Sequence, residues 1–420
     1  MSFSTSSCKG RLFVMMVLEI AIWGAWQIKI FPYMTMLGFT PGQQGWVGSV
    51  FGIASVVGIF FSNQFADRNF SAERFLAFSH VVGGAALVAA AFVTRFPAFF
   101  ALFLVHGLLY VPTISVANSL AFAHLANPAA EFGVVRTGGT IGWIAVSWPF
   151  IFLLGDTADA AQTRWVFIVA GIISLVLAGY SLTLPHTPPR RNAAGVDRFA
   201  WFRTARMFAV PHVAVLFLVI LVDAIIQNGY FVVIDQFLTQ VGISAKLTMV
   251  VSSIGQVAEI VTMLVLGAVL KRLGWKWTMI TGVLGHAVRY SVFAFCGTPE
   301  HAWLIAGIQV LHGICYAFFF AAVYIYVDAV FPADVRASAQ GAANLLILGV
   351  GMVGASQLFP RLVAHYSFVT TGGAAAVDYG RLFLVPTAMA IGAILLLAFF
   401  FRPPTARPAG APGVTEAVTA

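Results

Sequence analysis

Residues 382–401 read LFLVPTAMAIGAILLLAFFF and residues 213–226 read VAVLFLVILVDAII. The first is a charge-free apolar run of about 20 residues, the length a helix needs to cross a bilayer. Neither run shows the two-residue alternation that a membrane barrel strand keeps over about ten residues. These runs decide for an all-α integral membrane protein. The rest of the chain agrees: of 420 residues, 60% are hydrophobic and 9% charged, and mean hydropathy is +0.92. A water-soluble domain carries about 25% charged residues.

Working outward, apolar runs bounded by Gly, Pro and charges place spans 1 to 6 near residues 11–37, 43–65, 73–94, 97–119, 133–154 and 163–184. Spans 7 to 12 follow near 209–238, 245–270, 276–296, 301–328, 336–363 and 380–401. The Pro- and Arg-rich stretch between the two sets gives the organisation. An N-terminal six-helix bundle (1–184) is joined by a cytoplasmic linker (185–207) to a C-terminal six-helix bundle (208–402), and a Pro/Ala/Gly-rich tail (403–420) reads as disordered. In and just after the linker, Asp197 to Phe208 mixes Phe199, Trp201 and Phe202 with three arginines, the composition of a short interfacial helix.

The formal charge of +8 does not point to nucleic acid, because the basic residues sit at the ends of apolar spans. With both termini in the cytoplasm, 16 of the 23 Lys and Arg fall inside and five outside, while Lys29 and Arg289 lie within the membrane. That bias follows the positive-inside rule and predicts a multi-pass protein of the bacterial cytoplasmic (inner) membrane. Lys9, Arg11 and the apolar run after them imitate a secretory leader. The run continues past Glu19 to Tyr33 without a cleavage site, so a retained first span is expected. Cys8, Cys296 and Cys315 form no CxxC pair, which predicts no disulfide framework, metal or cofactor. Nine dispersed histidines, with no H-E-x-x-H and no G-x-S-x-G, argue against an enzyme.

A charged side chain at mid-depth costs at least about 2.5 to 3.5 kcal/mol on insertion scales, so each one is a site candidate. Glu259 stands near the middle of span 8, and Gln256, three residues earlier, shares its face. The alternative is that Arg289 of span 9 neutralises Glu259 and merely fastens two helices. On span 7, Gln227 and Asn228 read as ligand contacts and Asp223 as a proton site, or all three as interhelical hydrogen-bond glue. Span 5 opens Arg136-Thr-Gly-Gly-Thr140-Ile-Gly-Trp143, with neither a preceding strand nor a P-loop lysine, which excludes a nucleotide-binding loop. Arg136, Thr140 and Trp143 form one helical stripe suited to a polar aromatic solute. Glu19, Trp23 and Trp26 form another on span 1, with the indoles able to stack on a ring. His312 and Tyr316 share a face of span 10, and histidine is the side chain that titrates near neutral pH. The proton-coupling candidates are therefore Glu259, Glu19, Asp223 and His312.

Asp67-Arg68-Asn69-Phe70 after span 2 and Gly267 to Lys276 after span 8 fall at the same place in each half. Such six-plus-six repeats resemble the major facilitator superfamily, whose loop reads G-x-x-x-D-R-x-G-R-[KR]. Here Asn63 replaces the first Gly and Lys271 replaces the Asp of the second copy. Trp23-Gly-Ala-Trp26, Arg136 to Trp143, Leu184-Pro-His186, Gln256-Val-Ala-Glu259, Leu311 to Phe319 and Arg336-Ala-Ser-Ala-Gln-Gly341 are similar to the nucleoside:proton symporters of that superfamily. The resemblance implies twelve transmembrane helices in pseudo-two-fold halves, and alternating access around a central cavity that holds base and ribose. It implies a small-molecule substrate, a nucleoside, taken up with protons by a monomer in the lipid bilayer. Arg136, Thr140, Trp143, Gln227, Asn228, Gln256 and Glu259 take over the family's binding positions, with Trp143 where the family has Phe. Where the family carries a Tyr and then an Asp in span 10, this chain has His312 and Ala317, and Glu19 stands in place of a Gln. A sugar or other small polar metabolite therefore stays open as substrate, and so does a non-transporting sensor.

Overall fold

The computed structural model describes residues 5–58, 70–189, 211–331 and 333–403. The loop residues Asn63 and Asp67 to Asn69, the linker from 190 and the tail from 404 lie outside them. Nine helices among the described residues are long and apolar enough to cross a membrane. One of these, Thr248–Cys296, turns at Gly274, whose φ of 69° and ψ of 175° are open to glycine at little cost. It therefore supplies both spans 8 and 9. Pro41–Gly48 with Val50–Val57 stand in the place of span 2, and Pro128–Ser147 in that of span 5. The helical architecture agrees with twelve spans.

Local chemistry sets several boundaries. Thr40 accepts from the Gln43 backbone N–H and Gln43 returns the bond, a capping box that starts span 2 with Pro41 in its first turn. Asp378 caps span 12, Tyr379–Phe400, by accepting from the Arg381 N–H. Span 1, expected as one helix, is two: Thr5–Trp26 and Ile30–Met36. The cause is Pro32, whose ring conflicts with the carbonyl four residues back and forces a break near Ile28. Lys29 N–H bonds the Trp26 carbonyl at 3.0 Å, a tight turn inside the membrane.

Span 10 was expected as a regular helix and is not one. Leu311–Cys315 is α-helical and Tyr316–Ala321 is a π-helix, before α-helix resumes at Ala322–Val330. Span 11 carries a second π segment, Leu345–Val350, between Ala333–Asn344 and Gly351–His365. An antiparallel hairpin, β1 (Ser367–Val369) and β2 (Ala375–Val377), joins spans 11 and 12 and was not foreseen.

Within the first half, span 1 packs on spans 5 and 6, and span 3 packs on spans 4 and 6. Gly142 makes the first of these contacts possible: a Cβ there would lie 2.1 Å from the Val17 carbonyl oxygen. In the second half, span 7 packs on spans 11 and 12, and spans 8 and 9 pack on span 10. The halves meet through spans 2 and 11 and through spans 5 and 8.

Among the described residues, the hydrogen bonds and ion pairs that join the halves gather toward the face opposite the N-terminus, here the distal face. Lys29 Nζ lies 2.7 Å from Asp235 Oδ1 and donates to the Ala245 carbonyl at 2.8 Å, with both charged groups buried. Thr248 Oγ1 donates to the same Asp235 oxygen. Nearer the surface, the Ser244 hydroxyl and the Lys246 ammonium reach Asp156 Oδ1 at 2.6 and 2.9 Å. Gln236 and Gln357 donate to Thr35 and Ser49. These contacts form a closed distal seam.

Candidate functional site

Span 5 turns Gly138 and Gly142 onto span 1, where a Cβ would meet the Phe13 and Val17 carbonyl oxygens. Arg136 and Thr140 are left half-buried. Arg136 is within electrostatic reach of Glu259 on span 8 and of Tyr316 and Tyr324 on span 10, so its guanidinium serves both halves. Glu259 stands 11 residues into its helix, about 16 Å at 1.5 Å per residue, near the middle of an about 30 Å hydrocarbon layer. The residue is half-buried, and its carboxylate has no hydrogen bond or ion pair among the described residues. Span 10 can come this close because of Gly313, whose Cβ would lie 2.3 Å from the Glu259 backbone nitrogen.

Arg289 is not the partner of Glu259. It is fully buried in the second half, where Nη1 donates to His312 Nδ1 at 2.9 Å and Nη2 to His286 Nδ1 at 3.2 Å. Its guanidinium also lies over the Tyr230 ring, 4.4 Å from the centroid. Because arginine can only donate, Nδ1 of both imidazoles accepts, and both carry their proton on Nε2. The Nε2–H of His286 points at Asp223, 3.6 Å away. Asp223 is fully buried, and neither of its oxygens has a hydrogen bond.

The Nε2–H of His312 faces the side-chain amides of Gln227 and Gln256, at 3.2 and 3.5 Å. That proton selects the amide orientation in which a glutamine Oε1 accepts it, which turns the amide N–H groups to the positions left without a partner. His312 is thus a hydrogen-bond donor held by Arg289. Asn228 spends its amide on the Ala224 and Ile347 carbonyls, at 2.8 and 3.2 Å, which leaves its oxygen available.

Aromatic rings connect the two groups. Trp143 sits edge-on to Trp23 at 5.8 Å and 5.8 Å from Phe231, which in turn is 5.7 Å from His312. Trp23 donates its indole N–H to Gln27 Oε1 at 2.8 Å, whereas the indole nitrogens of Trp26 and Trp143 are buried without a partner. Trp26, Gln27, Phe51, Asn228, Val232 and Ser356 line a small cavity between the halves. Tyr316 opens the π segment of span 10, half-buried toward Arg136.

The structure therefore sets Arg136 within electrostatic reach of Glu259 and Tyr316. It gathers Gln227, Gln256 and His312 in a second group, and Trp23, Trp143 and Phe231 between them. Glu19 and Asp223 lie apart from both, each buried inside its own half. Sequence reasoning missed His80, His286, Tyr230, Phe231 and Tyr324. The rule that flagged His312, an ionisable group inside a span, applies equally to His80 and His286.

Two halves that meet around one polar centre and are tied toward one face define a facilitator-type secondary transporter, and not an enzyme. A profile of the family described as Nucleoside H+ symporter matches residues 6–406, and the chain belongs to that family. Its function is accordingly proton-coupled nucleoside transport by a multi-pass membrane protein. Among similar proteins of Escherichia coli strain K12, YegT is 32% identical over 353 residues, 81% of each chain. A xanthosine permease is 29% identical over 422 residues, covering 93% of this chain and 94% of its own. The crystal structure of the nucleoside transporter NupG has the same fold, with a TM-score of 0.81 at 24% identity over 94% of this chain and 99% of that one. A D-xylose-proton symporter shares the fold at a TM-score of 0.67 and 16% identity, over 95% and 97% of the two chains.

Proposed function

We propose that the chain takes up a nucleoside together with protons by rocking its two six-helix halves, residues 1–184 and 208–402, about the central site. The observation that carries this reading is Glu259, half-buried near mid-membrane, its carboxylate unpaired among the described residues and within electrostatic reach of Arg136 across the interface. Glu259 takes up the proton on the distal side and releases it on the other. Arg136, Thr140, Gln227, Gln256 and the oxygen of Asn228 hold ribose and base polar groups, and His312 donates from its fixed Nε2–H. Trp23, Trp26 and Trp143 flank the base, with Tyr316 beside Arg136. Asp223 and His312 stand behind Glu259 as further proton candidates, and the Arg289 bond to His312 favours a donor role for that ring. The names of two relatives, a xanthosine permease and a nucleoside permease, support a nucleoside as the cargo.

The distal face is the outside, and both termini lie in the cytoplasm of a bacterial inner-membrane protein that works as a monomer in the bilayer. The 16-to-five distribution of basic residues supports this orientation. A closed distal seam then corresponds to a cytoplasm-facing state. One charge moved across about 100 mV is worth about 2.3 kcal/mol, roughly fifty-fold accumulation for one proton per solute.

Radiolabelled uridine and adenosine uptake into proteoliposomes, with and without an inward proton gradient, tests the reading. Wild-type protein is expected to accumulate at least one of them only with the gradient. Glu259→Gln is expected to keep exchange of internal for external solute and to lower the proton-to-nucleoside ratio by one. An unchanged ratio in Glu259→Gln would remove Glu259 from the proton path.

A further inference from the structure

Glu19 does not reach the central site. Its carboxylate is fully buried inside the first half, where Oε2 lies 3.0 Å from His80 Nε2 of span 3, itself 1% exposed. Thr113 of span 4 lies 2.7 Å from the other oxygen, and the Tyr110 hydroxyl donates to the Glu19 backbone carbonyl at 2.6 Å. Behind the imidazole, Ser174 of span 6 closes the arrangement.

The Ser174 oxygen lies 3.1 Å from His80 Nδ1 and 3.0 Å from the His80 carbonyl, and the Thr113 hydroxyl is likewise shared between Glu19 Oε1 and the Tyr110 carbonyl. With the Ser174 hydroxyl donating to the carbonyl, Nδ1 carries a proton and a second one belongs between Nε2 and Glu19. Without it, a nitrogen lone pair would face a carboxylate oxygen at 3.0 Å, and a buried charge would stand uncompensated. With one proton the pair is neutral as a unit, whether written as carboxylic acid and imidazole or as carboxylate and imidazolium. The ionisable groups nearest the pair on the packed elements are His106 and Tyr110 of span 4, with Arg136 of span 5 beyond Tyr110. His106 stacks on Tyr110 at 5.2 Å and points its Nδ1 to the Gly83 carbonyl, while the Arg136 charge is felt at Tyr110. Of these, among the described residues, Tyr110 is hydrogen-bonded to the Glu19 backbone carbonyl, and none is hydrogen-bonded to the Glu19 carboxylate or the His80 ring.

We propose that Glu19 and His80 form a second proton-binding site, separate from Glu259, which holds one shared proton while the distal seam is closed and exchanges it when span 1 moves. The link is span 1 itself: the helix that carries Glu19 breaks at Gln27 to Lys29 and ends in the Lys29–Asp235 bridge of the seam. A movement that opens the seam pulls on the element that presents the carboxylate. The proposal rests on the proton-coupled reading above and adds a proton to its cycle.

Glu19→Gln tests it, because an amide can accept from Thr113 and donate to His80 Nε2 and so imitates the permanently loaded pair. The proton-to-nucleoside ratio, read from the voltage that brings net uptake to zero, is expected to fall by one. Accumulation at about 100 mV is expected to fall roughly fifty-fold without loss of exchange. An infrared pH titration of the purified full-length protein is expected to show a carboxyl band that Glu19→Gln removes. An unchanged ratio with an unchanged pH profile would overturn the second site and leave Glu259 untouched. If wild-type protein accumulates no nucleoside, or the variant fails to fold, the infrared titration of the wild type decides. A titrating carboxyl band that shifts in His80→Gln supports the pair, and its absence refutes it.

Discussion

The two halves bury ionisable groups in opposite ways. The first half pairs Glu19 with His80, and Thr113 and Ser174 occupy their remaining hydrogen-bonding positions, so the unit is closed. The second half buries a permanent cation, Arg289, whose two imidazole partners are both acceptors, and its countercharge, Asp223, stands beyond His286 without a hydrogen bond. That chain is open at its other end, where His312 faces Gln227 and Gln256. The contrast shows how one repeated architecture can separate two tasks. A closed pair suits storage of a proton, whereas an open chain with a fixed charge holds donors in one tautomer for a ligand.

The largest effect should come from breaking the open chain. Arg289→Ala removes the donor to two imidazoles and leaves Asp223 buried without its countercharge, a loss of about 5 kcal/mol at the upper end for buried charge pairs. Thermal and denaturant unfolding in detergent should report it. In whatever folded protein remains, nucleoside binding should weaken because the His312 ring is no longer held in one tautomer. An intermediate effect is expected at the seam that ties the halves. Lys29→Ala leaves Asp235 with Thr248 alone, should cost about 3 kcal/mol, and should raise thiol-reagent labelling of a cysteine placed at Gln27 by at least about tenfold. Lys29→Ala/Asp235→Asn should recover part of the stability but not the closure.

The smallest effect lies at the exposed rim. The Ser244 hydroxyl and then the Lys246 ammonium hold the Asp156 carboxyl below its ordinary range. A lowered carboxyl contributes stability above the usual carboxylate range and loses it as pH falls through the depressed value. Asp156→Asn should therefore be close to neutral for stability at all pH values. It should remove a weak loosening of the distal face that wild-type protein shows below about pH 4, measured by the same labelling.

The spans were legible because the bilayer fixes their length and forbids charge. The interruptions were less so: Pro32 acts four residues upstream of itself, and the π segments at Tyr316–Ala321 and Leu345–Val350 leave no periodic trace in an apolar run. Same-helix spacing correctly put Arg136, Thr140 and Trp143 on one stripe, since a helix makes neighbours of residues three or four apart. It could not pair Glu19 with His80, or Asp223 with His286, because those contacts cross between helices 61 residues apart in the first case. Lone histidines in spans 3 and 9 were the available signal. Asn228 was read as a ligand contact, but its amide is already committed to two carbonyls.

The seam contains two ion pairs of different accessibility. Lys29–Asp235 is buried, whereas Lys246–Asp156 is open to water. Dissolved ions screen exposed charges over a Debye length of about 10 Å at 0.1 M but hardly reach a buried pair. Rising ionic strength should therefore peel the seam in layers, releasing the rim first and leaving the inner bridge to set how often the transporter opens on its distal side.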